Sequence, residues 1–514
     1  MQIYHIYLKL MLINIIYLEI ILNYNYFILL LHRMESLKEK TAKGLLWGGL
    51  SNAIQQVLNL IFGIFLARLL TQSDYGMVGM LSVFSLMAAA LQEGGLISAI
   101  NRKKEVSAND YNAVFWTCSL ISISFYIILF FCSPLIADFF KTPELTSLAR
   151  YIFIGFFLTS LGVAPRAYLF RNMMVRENTI ISISSLLISG ITGITLAYYG
   201  FAYWGIATQT IIYVFVTTLL SFYYAKWLPS LKIDFSPIKE MIGFSSKLIV
   251  TNFFYIINNN VLTVLLGRFY TPHVVGNYTQ ASKWNSMGIL LISNTLNGIS
   301  QPVFARTEND ITRQKNIFRK LLRFTAFISF PAMMGLALIA EELIVILLTD
   351  KWIESVRILQ ILCISGAFYS ISGLFSNLII SRGKSATYMW CTIALCTIQL
   401  ISVCLSASRG IYFMIYVYTF INIAWLLVWH RYAKKEIGIK LREIVKDISP
   451  YLVLSTVIVA TTHFATSGIS NLYVSFITKA MMACISYCLV LWIFKSTIFL
   501  EAIDFLKSKI SKLR

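Results

Sequence analysis

The 514-residue sequence predicts an all-α polytopic membrane protein of about fourteen transmembrane helices. Two six-helix lobes, related by a parallel pseudo-repeat, would be followed by two C-terminal helices. Three observations predict this. The chain is 58% hydrophobic and 13% charged, so a water-soluble form would expose far too much apolar surface and the bilayer must be its solvent. Its basic residues crowd into alternate loops. Two segments 200 residues apart also share their sequence pattern.

The spans come first. Residues 44–67, 111–137, 284–305 and 385–408 contain no Asp, Glu, Lys or Arg. A helix needs about 20 apolar residues to cross. The charge-free run 178–225 is long enough for two spans, broken at Tyr198-Tyr199-Gly200. The expected spans are 45–69, 76–100, 112–137, 146–168, 178–198, 203–225, 243–268, 275–304, 324–348, 355–380, 385–407, 410–430, 448–466 and 472–494. The least clean are 146–168, with Arg150 and Arg166, and 472–494, with Lys479.

The net charge of +20 could point to a nucleic-acid partner, but its distribution points to topology. From residue 33 on, alternate loops and both tails hold 33 Lys and Arg. The other side holds seven: Arg68, Lys141, Arg150, Arg268, Lys351, Arg357 and Arg409. This is the positive-inside pattern, and it puts both termini of the 34–514 unit in the cytoplasm. No nucleic-acid partner is expected, and the basic excess is read as topology and contact with membrane lipids.

The repeat then organises the chain. Leu66, Arg68, Thr71 and Gly76 match Leu266, Arg268, Thr271 and Gly276. In the same register Asn52 matches Asn252, Asn59 matches Asn259, Ser82 matches Ser282, and Met87 matches Met287. Six spans separate equivalent helices. An even number means that they run the same way, about an axis along the membrane normal. The expected organisation is an N-terminal lobe over 34–228, a linker over 229–241 with Pro237, a C-terminal lobe over 242–432, and an appendage over 433–514. The basic loops at 306–323 and 431–446 are expected to be amphipathic segments at the headgroups.

Residues 1–33 stand apart. The stretch carries Lys9, Glu19, Asn23 and Asn25 in its apolar run and has no small-residue cleavage site. Met34 reads as the natural start, and an extra N-terminal span is the rival reading. All eight cysteines fall in expected spans without a CxxC pair, so they read as packing residues.

Polar groups inside spans mark candidate sites, because burying them in lipid is costly. Asn52, Gln56, Asn59 and Gly63 share one face of the first span. Asn252, Asn259 and Thr263 fill the equivalent face of the seventh, flanked by Asn258 and Asn260, and Asn294, Asn297 and Gln301 stripe the eighth. Such amides can line a cavity or merely join helices. Arg68 and Arg268 end their spans on the sparsely charged side. They could snorkel to headgroups or form an electropositive vestibule for an anion. Lys283 lies deeper and must face water, a partner or a substrate. Glu93, in the break Gln92-Glu93-Gly94-Gly95, could pair with a cavity cation, bind a coupling proton, or pair with Arg102 or Lys103. Lys247 reads as an anchor, and Glu341 and Glu342 as surface or gate residues.

The segment Leu37-Lys-Glu-Lys-Thr41-Ala-Lys-Gly44-Leu-Leu-Trp47, with Ala67-Arg68-Leu-Leu and Tyr75-Gly76, resembles the start of bacterial polysaccharide exporters of the Wzx type. Asn101-Arg102-Lys103-Lys104-Glu105, Pro165-Arg166-Ala167, Gly243-Phe244, Asn258-Asn259-Asn260 and Gln301-Pro302-Val303-Phe304-Ala305 resemble the same family. It belongs to the multidrug/oligosaccharidyl-lipid/polysaccharide (MOP) exporter superfamily, and the likeness is greatest to its colanic-acid-type branch. The resemblance implies a MOP/MATE-like fold. It implies a flippase that moves undecaprenyl-pyrophosphate-linked oligosaccharide from the cytoplasmic to the periplasmic leaflet of the inner membrane by alternating access. Arg68, Arg268 and Lys283 are then candidates to meet the pyrophosphate or acidic sugars. Polymerase and chain-length machinery would be the partners of such a system.

Two rivals remain open at this point. A MATE-like drug/cation antiporter would favour a carboxylate-lined cavity, whereas the repeated charge here is Arg. A membrane polymerase or glycosyltransferase would need a sizeable external loop or a carboxylate motif, and neither is present. There is no Walker, GxSxG or HExxH motif, so no catalytic residue, metal or cofactor is expected. The sequence does not name a coupling ion, whether proton or sodium.

Overall fold

Backbone carbonyls and amides in a bilayer must find partners within the chain, and helices satisfy them locally. In the computed structural model every regular element among the described residues is helical. The described residues are 47–49, 51–93, 100, 103, 105–231, 234–307, 309–496, 498–501 and 503–504. Residues 1–33, and the side chains of Glu93, Lys247, Asn294 and Asn297, lie outside that description.

The first half comprises α1 (Trp47–Leu69), α2 (Gln72–Glu93), α3 (Ala108–Phe140), α4 (Leu145–Ile152), α5 (Ile154–Leu161), α6 (Val163–Arg171), α7 (Val175–Tyr198) and α8 (Tyr203–Ala225). The second half comprises α9 (Ser236–Phe269), α10 (Pro272–Arg306), α11 (Ile311–Leu338), α12 (Ala340–Leu348), α13 (Ile353–Ser381), α14 (Ser385–Ser406) and α15 (Ile411–Ile437). The chain ends with α16 (Leu441–Thr466) and α17 (Leu472–Ile493).

Ten of these helices are long and apolar enough to cross a membrane, or eleven if the bent run α4–α6 is one span. Helices α2, α9 and α10 stand at the three remaining expected spans.

The expected span 146–168 is broken into three pieces. A 42° bend separates Leu145–Leu161 from Val163–Arg171. Pro165 supplies no amide to continue the ladder. Arg166 fills part of the gap by donating to the Gly162 and Thr159 carbonyls at 3.2 and 3.3 Å. The Arg150 guanidinium, also in this span, lies 4.5 Å from the Phe130 ring centroid and donates to Ser133 Oγ at 3.0 Å.

The two halves meet through α2 and α10, with α9 against α2 and α3. At the Arg68/Arg268 end the contact is backbone on backbone. A Cβ on Gly76 would collide with the Pro272 carbonyl, and a Cβ on Gly276 with the Gln72 carbonyl. Both pairs are offset by 200 residues, so the sequence repeat is also a repeat of contacts. Gly79 faces its own equivalent, Thr279. Small residues let helix backbones approach this closely in lipid.

The basic segments at 306–323 and 431–446 are not separate amphipathic pieces. Most of the first is the opening of α11, and the second divides between the end of α15 and the start of α16, which turn at Gly438 (φ +63). The two segments pair with each other. Arg319 forks onto Asp447 at 2.7 and 3.0 Å, and Lys315 reaches Glu443 at 2.8 Å. That network docks α16 onto α11. On α17, Lys479 and Ser475 bond the buried Glu342 of α12. The appended pair therefore rests on the second half. All eight cysteines are free.

Candidate functional site

Burial falls along the four facing helices from one end to the other. On α1, Phe62, Leu66, Ala67 and Leu70 are buried, whereas Asn52, Gln56 and Asn59 are exposed. On α9, residues 261–263 and 265–267 are buried and 250–260 are half-buried or exposed. On α10, residues 275–278, 280 and 281 are buried, and Ser286, Leu290 and Leu291 are exposed. The halves thus close on each other at the Arg68/Arg268 end and part towards the other, leaving a cavity between them.

Reciprocal capping holds the closed end. Arg68 reaches from α1 to the C-terminus of α12, donating to the Leu347 and Ile346 carbonyls at 2.8 and 2.7 Å. Lys351 returns the contact, with Nζ 2.7 Å from both the Arg68 and Leu70 carbonyls at the end of α1. Cations at helix C-termini meet orphaned carbonyls and the negative end of the helix dipole. Trp352, fully buried, donates Nε1 to the Ala67 carbonyl at 2.9 Å and packs edge-on against Tyr75. In the other half, Arg268 donates to the Phe139 carbonyl at 2.8 Å near the end of α3, and its guanidinium lies 5.3 Å from the Phe139 ring centroid. Each repeated arginine therefore grips a helix end of the opposite half.

Asp74 anchors the start of α2. It accepts from the Thr71 amide at 2.8 Å and the Thr71 hydroxyl at 2.6 Å, and from the Tyr203 amide at 3.1 Å. The repeat carries Val274 at this position, so only the first half has this clasp.

Lys283 stands where the cavity begins. It is half-buried, and its Nζ lies against Gly63 of α1, so tightly that a Cβ there would strike it. Among the described residues no hydrogen bond or ion pair to Lys283 is found. Gly63 and Asn59 are one helical turn apart, and Gln56 and Asn52 continue the same face. The contact with Lys283 therefore fixes that polar stripe on the cavity side.

The other candidates distribute as follows. Asn52 and Asn59 are exposed on the cavity stripe, and Asn252 and Asn259 are half-buried on α9. Asn259 spends its amide on the Tyr255 carbonyl at 3.0 Å, and Asn260 spends its own on Ile256 at 2.8 Å. Among the described residues the buried Asn258 Oδ1 has no partner. Gln301 bonds Asn377 at 3.1 Å within its own half. Glu341 is exposed, whereas Glu342 is buried against Lys479. The structure brings Lys283 to the stripe of Asn52 and Asn59, and it places Arg68 and Arg268 at the sealed rim instead. Sequence reasoning missed Lys351, Trp352, Asp74 and the Tyr255–Tyr369 contact. A Trp between charges just beyond a span was the available signal for Trp352.

Comparison with known proteins gives this architecture a family. Residues 65–357, more than half of the chain, match the family described as "Polysaccharide biosynthesis protein". The chain belongs to this family. It is 24% identical over 355 residues to the lipopolysaccharide biosynthesis protein WzxC of Escherichia coli (strain K12), covering 68% of this chain and 71% of that one. It is 22% identical over 367 residues to the teichuronic acid biosynthesis protein TuaB of Bacillus subtilis (strain 168), covering 68% and 73%. Among solved structures, the lipid II flippase MurJ in an inward closed conformation superposes with a TM-score of 0.70 at 15% identity, covering 89% of this chain and 99% of that one. An inward-facing MATE-family transporter of the MOP superfamily gives 0.61 at 15% identity, covering 75% and 94%. The fold is that of the MOP superfamily, as the sequence resemblance implies, and the protein is a multi-pass membrane protein.

Proposed function

We propose that the protein is a flippase for lipid-linked oligosaccharide. It would carry undecaprenyl-pyrophosphate-linked repeat units from the cytoplasmic to the periplasmic leaflet of the bacterial inner membrane. The observation that carries the reading is Lys283, a cation without a described partner at the head of an interlobe cavity, in a chain of the polysaccharide biosynthesis family. A pyrophosphate is the group such an ammonium would meet, and a cavity open to one side lets it enter.

The positive-inside pattern puts the Arg68/Arg268 end on the periplasmic side. The arrangement is then closed outward and open inward, with both termini of the 34–514 unit in the cytoplasm. Helices α2, α9 and α10 would cross as cavity-lining spans, completing fourteen. The lobes are 34–228 and 242–432, joined by 229–241, and 433–514 is the appended pair with its basic tail. Alternating access would break the rim at Arg68, Lys351 and Arg268 and re-form contacts at the other end. The exported units would pass to polymerase and chain-length machinery.

A cationic-drug antiporter on the same fold is the second reading, and the MATE neighbour favours it. A lysine at the head of the cavity opposes cationic cargo. The test is to delete the gene and follow lipid-linked oligosaccharide on each leaflet. Accumulation on the cytoplasmic leaflet, relieved by wild-type protein and not by Lys283→Ala, is the expected result. Unchanged leaflet distribution with increased drug sensitivity would replace the flippase with the antiporter.

A further inference from the structure

Tyr255 lies on α9 between Asn252 and Asn259, three residues after one and four before the other, so it shares their face. Its hydroxyl meets that of Tyr369, from α13, at 2.7 Å. Helices α9 and α13 make little direct contact, so the two side chains bridge from one helix to the other. Yet the residues stay 40% and 38% exposed. Both rings are partly exposed at the face of α9 that carries Asn252 and Asn259, a polar face that lipid does not suit. Measured from the closed end at 1.5 Å per residue, Tyr255 lies about 20 Å down α9 and Lys283 about 17 Å down α10. The tyrosine pair is thus at nearly the depth of the ammonium.

A pyranose ring offers an apolar face of C–H groups and a rim of hydroxyls. A half-exposed tyrosine offers the complement: an aromatic face and a phenol that both donates and accepts. A pure packing role would bury these rings, and a purely polar one would not need them. We infer that Tyr255 and Tyr369 form a carbohydrate-contact subsite, stacking on the sugar nearest the pyrophosphate and hydrogen-bonding its hydroxyls. The inference rests on the flippase reading and adds to it the residues that sense sugar.

The test is binding to the purified full chain in detergent. The probes are undecaprenyl pyrophosphate alone and the same lipid bearing one glucose or one N-acetylglucosamine. Wild-type protein should bind a sugar-bearing probe about three- to tenfold more tightly than the bare lipid, the span expected of one aromatic contact. Tyr255→Ala and Tyr369→Ala should lose that margin and keep their affinity for the bare lipid. Tyr255→Phe and Tyr369→Phe, which keep the rings, should retain most of it and should melt near wild type. Equal weakening towards all probes in the alanine variants would make the pair a brace between α9 and α13 and overturn the subsite. So would a wild-type protein that binds bare and sugar-bearing lipid alike. Failure to bind any of the lipids would instead overturn the flippase reading on which the subsite depends.

Discussion

Gly76 and Gly276 each press against a backbone carbonyl of the other half, at Pro272 and Gln72, and the two contacts are related by the 200-residue repeat. The seal between the halves is therefore built twice from the same part. Either contact can be broken alone. A methyl at either glycine has only backbone to displace, so the tips of α2 and α10 must separate. Gly76→Ala and Gly276→Ala are expected to open the closed end, to similar degrees. A cysteine at exposed Ser73, in a background without native cysteines, should react faster with a membrane-impermeant thiol reagent in both variants. Unchanged labelling would mean that the tips adjust without opening.

Arg68 and Arg268 seal the same end through polar contacts. A hydrogen bond from a charged group contributes about 1.5–3 kcal/mol net, less where water competes, and both side chains are partly accessible. Arg68→Ala and Arg268→Ala should each shift the population towards the outward-open form, and the double variant further still. Arg68→Lys should restore little, because the guanidinium serves two carbonyls at once and an ammonium cannot hold that fork. Distances between spin labels at the tips of α1 and α12 would report the shift. A double variant with the wild-type distance distribution would remove the arginines from the gate.

Much of the fold was legible because lipid leaves few options. Charge-free runs, charge alternation and the repeat placed a helix at each expected span. The bend at Gly162 to Pro165 was visible only as an unclean span, since a kink depends on which carbonyls lose partners. The site was legible in part. The stripe of Asn52, Gln56, Asn59 and Gly63 could be read from spacing alone, and its facing partner Lys283 could be read as costly. Their juxtaposition could not, because it depends on how two lobes dock. The two arginines could be read only as headgroup anchors or as a vestibule, since sequence shows charge and position, not the helix C-termini waiting across the interface. Tyr369 was unreadable for a similar reason: in a helix this apolar, nothing in the pattern separates a cavity-facing tyrosine from a packed one.

Lys283 and Gly63 make a paired prediction. Lys283→Ala removes the ammonium and should abolish export, measured as loss of cell-surface polysaccharide, while the protein still reaches the membrane. Gly63→Val leaves the charge in place but drives a side chain into the space that Nζ occupies. It should lower export at least tenfold without changing expression. Export at wild-type levels in Gly63→Val would mean that the lysine works from another position.

The contact between Lys479 and Glu342 tests how the appended helices are held. Both side chains are buried, and Ser475 donates to the same carboxylate oxygen at 2.7 Å. Removing one partner of a buried ion pair strands the other charge, at a cost of about 3–5 kcal/mol in soluble proteins. Lys479→Met should therefore lower the melting temperature of the detergent-purified protein markedly. Glu342→Gln in the same chain should recover most of the loss, because the stranded charge is gone and the amide can still accept from Ser475. The recovery separates a stranded charge from a packing defect: a methionine that merely fits badly would leave the double variant as unstable as the single one. Export should follow stability in both variants, since α17 packs on α12 away from the facing polar stripes.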